Sequence, residues 1–298
     1  MTQIPVLVQM AKWLNPQWML AGFVFVLIGL GTKAGVAPLH FWLPDAYSQS
    51  PAPVSAVLSG ALLNTVLYGI LRIYVVANSV LPGQIGQYLI FFGIFSIAVS
   101  VPFLLVQRDL KRLLAFSSVE HIGVILLGVG IGGPLGIFGA LLHMFNHSLV
   151  KSLLFMAAGN IQQKYHTRQI ERISGALASM PVTGKVFLLA ILALAGSPPF
   201  SLFVSEITIM MAGFKTGHIG VTVLFLLLMA LIFAGMVYYA SRMVFGAAPA
   251  GMPVREVDAW STAALFLPLA IIVVFGVYVP SAFSEVLHKI AVVLQGGY

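Results

Sequence analysis

Apolar stretches of about 20 residues recur some eight times along the 298-residue chain. Each is long enough to cross the roughly 30 Å hydrocarbon core of a bilayer as a helix. In hydrocarbon every backbone N–H and C=O needs a partner within the protein, so a chain with this rhythm folds as a bundle of membrane-spanning helices. The spans read as Trp18–Leu39, Ala52–Ala77, Gly86–Val106, Leu113–Ile131, Pro134–Ile161, Val182–Phe214, Ile219–Phe245 and Trp260–Val279. The expected fold class is all-α, a polytopic bundle over residues 18–280 with an N-terminal segment at 1–17. The last stretch, "SAFSEVLHKIAVVLQGGY" at 281–298, has the amphipathic pattern of a helix lying in the membrane interface.

With only 8% charged residues, the chain lies far from the roughly 25% usual in soluble domains. Its net charge of +7 comes from basic residues in short loops between apolar runs, where they set topology; nucleic-acid binding is excluded. The loops on one side carry Arg108, Lys111, Arg112, Lys164, Arg168, Arg172, Arg242 and Arg255; the other side, with both termini, carries Lys12, Arg72, Lys215 and Lys289. The positive-inside rule therefore puts both termini outside the cytoplasm of a prokaryotic inner membrane. No Cys is present, so the chain offers no thiolate for metal, iron–sulfur or haem attachment. No phosphate-binding glycine loop or local Ser–His–Asp grouping is present either. Redox cofactors are expected only in partner subunits.

Two spans are interrupted. In "GTKAGVAPLHFW", Gly35 and Pro38 follow Lys33; in "ALAGSPPFSLFVSE", Gly196, Pro198 and Pro199 precede Glu206. Proline removes a backbone donor and clashes with the preceding turn, so both helices should break inside the membrane. Transporters place ion sites at such breaks. Between them, "LLHMFNHSLVKSLLF" sets His143, His147 and Lys151 four residues apart, which forms one stripe on a helix.

An ionisable group facing lipid is costly, so Lys33, Glu120, His121, His143, His147, Lys151 and Glu206 are expected to face the bundle interior as a hydrated proton path. Histidine relays protons near neutral pH, and a desolvated lysine can do so as well. Competing readings are core histidines satisfied across helices, a snorkelling Lys33, and an interfacial position for Glu120 and His121. His143 and His147 also have zinc-ligand spacing, but no acidic or thiol third ligand stands nearby and Lys151 repels a cation, so no metal site is expected. Lys185 reads as an interfacial anchor.

The segments "GTKAGVAPLHFWLPDAYSQSPAPVSAVLSG", "LKRLLAFSSVEHIG" and "LLHMFNHSLVKSLLFMAAGNI", in that order, resemble the antiporter-type membrane subunits of respiratory complex I and its relatives. Within that group the wording is most similar to component F of hydrogenase-4 and other group 4 [NiFe] hydrogenases. The resemblance implies inverted five-helix repeats, each with a broken helix and a central Lys or Glu, joined by a polar axis. Lys33 and Glu206 then take the broken-helix positions, and His143, His147 and Lys151 the central relay. Asn64 stands where several relatives place a lysine. The chain resembles the last eight of about fourteen spans, so the glutamate that pairs with the Lys33 position in relatives is missing, and no carboxylate of this chain is expected to reach Lys33. The implied function is proton translocation by a non-catalytic membrane subunit of a hydrogenase or NADH:quinone oxidoreductase-like complex. Its partners would be neighbouring antiporter-like subunits and a peripheral redox module on the cytoplasmic side, carrying [NiFe], iron–sulfur or flavin centres. A cation/proton antiporter subunit of the Mrp type, or a shortened scaffold without pumping, would share the same residues.

Overall fold

The computed structural model describes residues 4–296; residues 1–3 and 297–298, the ends of the two expected terminal segments, lie outside the described residues. The helices run α1 Ile4–Gln9, α2 Pro16–Ala34, α3 Trp42–Gln49, α4 Ala52–Val57, α5 Leu63–Val80, α6 Gln84–Leu105, α7 Leu110–Ile131 and α8 Gly133–Tyr165. They continue as α9 Ala176–Ser179, α10 Pro181–Leu194, α11 Ser201–Lys215, α12 Ile219–Val244, α13 Ala259–Ala263, α14 Phe266–Val277 and α15 Ser281–Leu294. Among the described residues six stretches are long and apolar enough to cross a membrane as unbroken rods: α2, α4–α5, α6, α7, α12 and α13–α14. The 33-residue α8 and the interrupted pair α10–α11 complete the eight-span reading.

Helix α7 is the axle of the bundle. Its apolar window is 94% buried, against 22% for α2 and 17% for α13–α14, so polar side chains on α7 face protein on every side. Close approach to α6 is made by glycine against glycine. A Cβ on Gly93 would sit 2.8 Å from the carbonyl oxygen of Gly123, and one on Gly86 would sit 2.6 Å from that of Gly130. Small residues at matched positions let helix backbones touch, which is the main packing gain available where lipid is as apolar as the side chains.

Both expected interruptions are built alike. Helix α2 ends at Gly35 in the left-handed conformation, φ 81°, three residues before a cis Ala37–Pro38 bond; α10 is followed by Gly196, φ 71°, three residues before a cis Pro198–Pro199 bond. The freed backbone groups are taken up by neighbours. Ala37 N donates to Ser96 Oγ of α6 at 3.0 Å, and the Trp42 indole to the Thr32 carbonyl at 2.6 Å. At the second break Asn146 of α8 donates to the Ser201 carbonyl at 2.7 Å. This is the condition under which irregular backbone is tolerated at membrane depth.

One feature has no signature in the sequence: between α4 and α5, Leu58–Leu62 form a π-helical turn. The Gly60 carbonyl accepts a hydrogen bond from Ser148 Oγ at 2.6 Å, which ties the turn to α8.

The basic loops also hold the end of the first broken span. Lys111 donates to the Ser50 carbonyl and Arg168 to the Ser48 carbonyl, while Arg112 pairs with Asp45 at 2.9 Å. Cations gathered at a helix C-terminus satisfy its last carbonyls and oppose its negative dipole end.

Candidate functional site: a buried chain of ionisable side chains

The site is assembled where α7, α8 and α11 meet. Lys151 Nζ donates to the Leu114 carbonyl at 2.9 Å and to Ser117 Oγ at 2.5 Å, both on α7. One turn back along α8, His147 has neither ring nitrogen hydrogen-bonded, and its ring centre lies 5.4 Å from that of His121. His121 Nδ1 stands 3.0 Å from His143 Nε2, and His143 Nδ1 stands 2.9 Å from Ser205 Oγ on α11. Glu120 Oε1 lies 3.7 Å from His121 Nδ1 without a hydrogen bond of its own. Lys151, His147, His121 and His143 are fully buried, Glu120 nearly so, and Glu206 is 4% exposed with Oε1 unpartnered.

The tautomers follow from the hydroxyl at one end. Ser205 donates to the Leu202 carbonyl at 2.8 Å, so it accepts from His143 Nδ1–H. His143 Nε2 is then an acceptor for His121 Nδ1–H, which leaves His121 Nε2 as a bare acceptor. The row Ser205–His143–His121 is a directed donor–acceptor chain. A proton taken up at His121 Nε2 lets the Nδ1 proton pass to His143 Nε2, which reverses the bond between the two rings as a relay requires.

Glu206 stands next to this row, reached from the second break. It packs against Gly196, where a Cβ would overlap its Oε2, so the glycine is required both for its positive φ and for room at the carboxylate. One ligand atom each of His121, His143 and Glu206 lie within 4.8 Å of one another. The histidine pair with zinc-like spacing, His143 and His147, divides its labour: His143 turns to His121 and Ser205, while His147 stays apart. Glu206 of α11 groups with His143 and His121, not with His147.

Lys33 departs from expectation. It is exposed, on the outer face of α2 together with Trp18, Gly22, Phe25 and Gly29. The buried stripe of this helix is Phe23, Leu27, Gly31 and Ala34, so Lys33 is about 200° around the axis from Gly31. The expectation of an inward-facing Lys33 is therefore corrected: α2 turns the side bearing Phe23, Leu27, Gly31 and Ala34 into the bundle and carries the lysine outward. Among the described residues no carboxylate comes within ion-pairing distance of it.

Asn64 is anchored rather than free. Its Nδ2 donates to Ser148 Oγ at 2.5 Å and the Met144 carbonyl at 2.8 Å, and Oδ1 is buried without a partner. Sequence reasoning passed over the hydroxyls that complete the polar thread: Ser117 on Lys151, Ser205 on His143, and the Ser59–Ser118 pair at 2.9 Å. Their signal is serine standing next to or one turn from an ionisable residue inside an apolar span.

A polytopic helix bundle with two broken helices and a buried Lys–His–Glu row defines the antiporter-like class of membrane subunits. Residues 1–233 match the family described as NADH:quinone oxidoreductase/Mrp antiporter, TM, and the chain belongs to that family. It is 37% identical over 290 residues to a hydrogenase-4 component F homolog of Methylacidiphilum infernorum, covering 96% of this chain and 59% of that protein. It is 39% identical over 185 residues to NADH-quinone oxidoreductase subunit N of Desulforudis audaxviator, covering 61% and 37%. Among solved structures, a chain of an archaeal membrane-bound sulfane sulfur reductase superposes with a TM-score of 0.89 at 26% identity, over 98% of this chain and 60% of that one. A chain of the Mrp complex from Dietzia sp. shares the fold, with a TM-score of 0.84 at 22% identity over 98% and 65%. The chain thus spans well under two thirds of the length of the curated relatives it matches.

Proposed function

We propose that this chain is a proton-translocating, non-catalytic subunit of a membrane-bound hydrogenase or NADH:quinone oxidoreductase-like complex in a prokaryotic inner membrane, with both termini outside the cytoplasm. The observation that carries the reading is the buried row from Lys151 through His147, His121 and His143 to Glu206, which comprises groups able to take and give protons with no solvent-exposed member. A proton entering near Lys151 passes to the histidines, and the directed His121–His143–Ser205 chain hands it toward Glu206 at the second break. The redox reaction belongs to partner subunits, which hold whatever [NiFe], iron–sulfur or flavin centre drives it; neighbouring antiporter-like subunits and a peripheral module on the cytoplasmic side are the expected contacts. The high identity to a hydrogenase-4 component F homolog supports the hydrogenase side of this reading.

The test is proton uptake by vesicles holding the purified native complex, with and without His143→Asn. The reading expects redox turnover uncoupled from proton movement in the variant. Undiminished pumping refutes it, and cation exchange without any redox partner favours an Mrp-type antiporter subunit.

A further inference from the structure

We propose that His121, His143 and Glu206, with Glu120 alongside, form a binding site for a borderline divalent metal ion such as Zn²⁺, and that the bound ion closes the row to protons. The binding stands on geometry alone; the closure rests on the proton-relay reading.

Three helices each contribute one donor atom, all within 4.8 Å of one another. The two ring nitrogens that would bind, His121 Nδ1 and His143 Nε2, are 3.0 Å apart. Two nitrogens on a tetrahedral zinc at 2.0–2.1 Å lie about 3.3 Å apart, so the rings need only a small outward movement. Glu206 Oε1 is buried and has no hydrogen-bond partner, and Glu120 Oε1, also buried and unpartnered, lies 3.7 Å from His121 Nδ1. Three donors of two types therefore converge from α7, α8 and α11, and Glu120 stands beside His121 as a second carboxylate. Beside Glu206 a cavity of about 190 Å³, lined by Ala195, Gly196, Phe203, Met210 and Met229, leaves the carboxylate room to swing onto the ion.

The donor set selects the ion. Imidazole nitrogen with carboxylate oxygen suits zinc, cobalt and their neighbours, whereas calcium and magnesium want six or more oxygens. Two carboxylates balance the charge of a dication and two neutral imidazoles add none. Among the described residues the cation of the row, Lys151, is held by Leu114 and Ser117 on α7. Coordination uses the facing lone pairs of the histidine pair, so the proton of His121 moves from Nδ1 to the unpartnered Nε2. The bond that joins His121 to His143 in the row is then replaced by metal, and no proton can pass.

Co²⁺ serves as the probe because its visible spectrum reports coordination. The purified native complex is titrated with Co²⁺ and then with Zn²⁺, bound metal is counted, and proton uptake is measured in parallel. The same series is run on Glu206→Gln, His143→Asn and, as a control, His218→Asn, which lies outside the site at the N-terminus of α12. The expectation is one tetrahedral Co²⁺ per chain, displaced by Zn²⁺, lost in the first two variants and kept in the third, with proton uptake in the unaltered complex stopping as Zn²⁺ fills the site. Metal binding equal in all four proteins, or no tetrahedral Co²⁺ spectrum in the unaltered complex, overturns the site. Proton uptake that continues with the site filled overturns the closure and counts against the relay reading. Uptake lost in His143→Asn in a complex that binds no metal overturns the site alone and leaves the relay standing.

Discussion

The two broken helices use one backbone device for opposite ends. Each has a left-handed glycine three residues ahead of a cis proline, yet the first carries its lysine on the outer surface and the second buries its carboxyl against the histidine row. Lys33 stands two residues before its glycine and Glu206 ten residues after, so the ionisable groups sit on opposite halves of their interrupted spans. Their surroundings differ as well: α2 packs mainly on α5, whereas α11 packs on α7, α8, α10, α12 and α14. A break opens backbone, and the packing around it decides whether a nearby charge becomes an interior group or a surface one.

Four measurements press on that contrast. The largest effect is expected for proton transport by the native complex carrying Lys151→Met, which removes a group tied to α7 at the enclosed end of the row; a fall of about a hundredfold is the scale for losing a positioned proton donor. Retention of most of the transport would sever Lys151 from the row. Next, the chain has no cysteine, so single cysteines at 33 and 206 give unique spin-label sites. In the isolated chain the label at 33 should be mobile and relaxed by oxygen dissolved in lipid, and the one at 206 immobile and shielded; equal accessibility removes the contrast.

Smaller effects separate the glycines. Gly35→Ala and Gly196→Ala should each cost about 1–2 kcal/mol for an L-residue held in the left-handed region. At 35 the new methyl meets Leu43 and at 196 it meets the Glu206 carboxylate, so only the second should also impair proton movement. Thermal unfolding read beside transport checks this, and equal loss of transport in both would show that the breaks act alike. The smallest effect concerns Glu256, whose Oε1 accepts from the N–H groups of Val182 at 2.8 Å and Thr183 at 3.2 Å at the start of α10. Glu256→Ala should lower stability by about 1 kcal/mol, the usual worth of a helix N-cap, and no change in the melting temperature would show that this contact does not hold the start of α10.

The spans and both breaks were legible because hydropathy and Gly–Pro punctuation act locally. The stripe His143–His147–Lys151 was legible as spacing, but its partners were not. His121 meets His143 only through the register of α7 on α8, and Ser205 and Glu206 arrive from α11, some 60 residues further on. The direction of Lys33 was hidden because α2 is apolar all round: Phe25 and Ile28 are as hydrophobic as the buried Phe23 and Leu27, so nothing in the pattern marks the covered face. The spacing of His143 and His147 describes one helix only, whereas the carboxylates group with a different pair, His121 and His143, across helices.

The π-helical turn at Leu58–Leu62 amounts, in genetic terms, to a single extra codon. On an uninterrupted α-helix, residues five apart point about 140° away from each other; a turn closed from i to i+5 brings them onto one face. Ser59 can therefore meet Ser118 of α7 while Asn64 meets Ser148 of α8. An in-frame deletion of one residue here would leave hydropathy, charge and insertion into the bilayer untouched, yet rotate everything downstream to Val80 by one step and pull Asn64 off α8. Variants of this kind look silent to every profile that counts apolar residues, and they are the ones in which loss of function would come without loss of the fold.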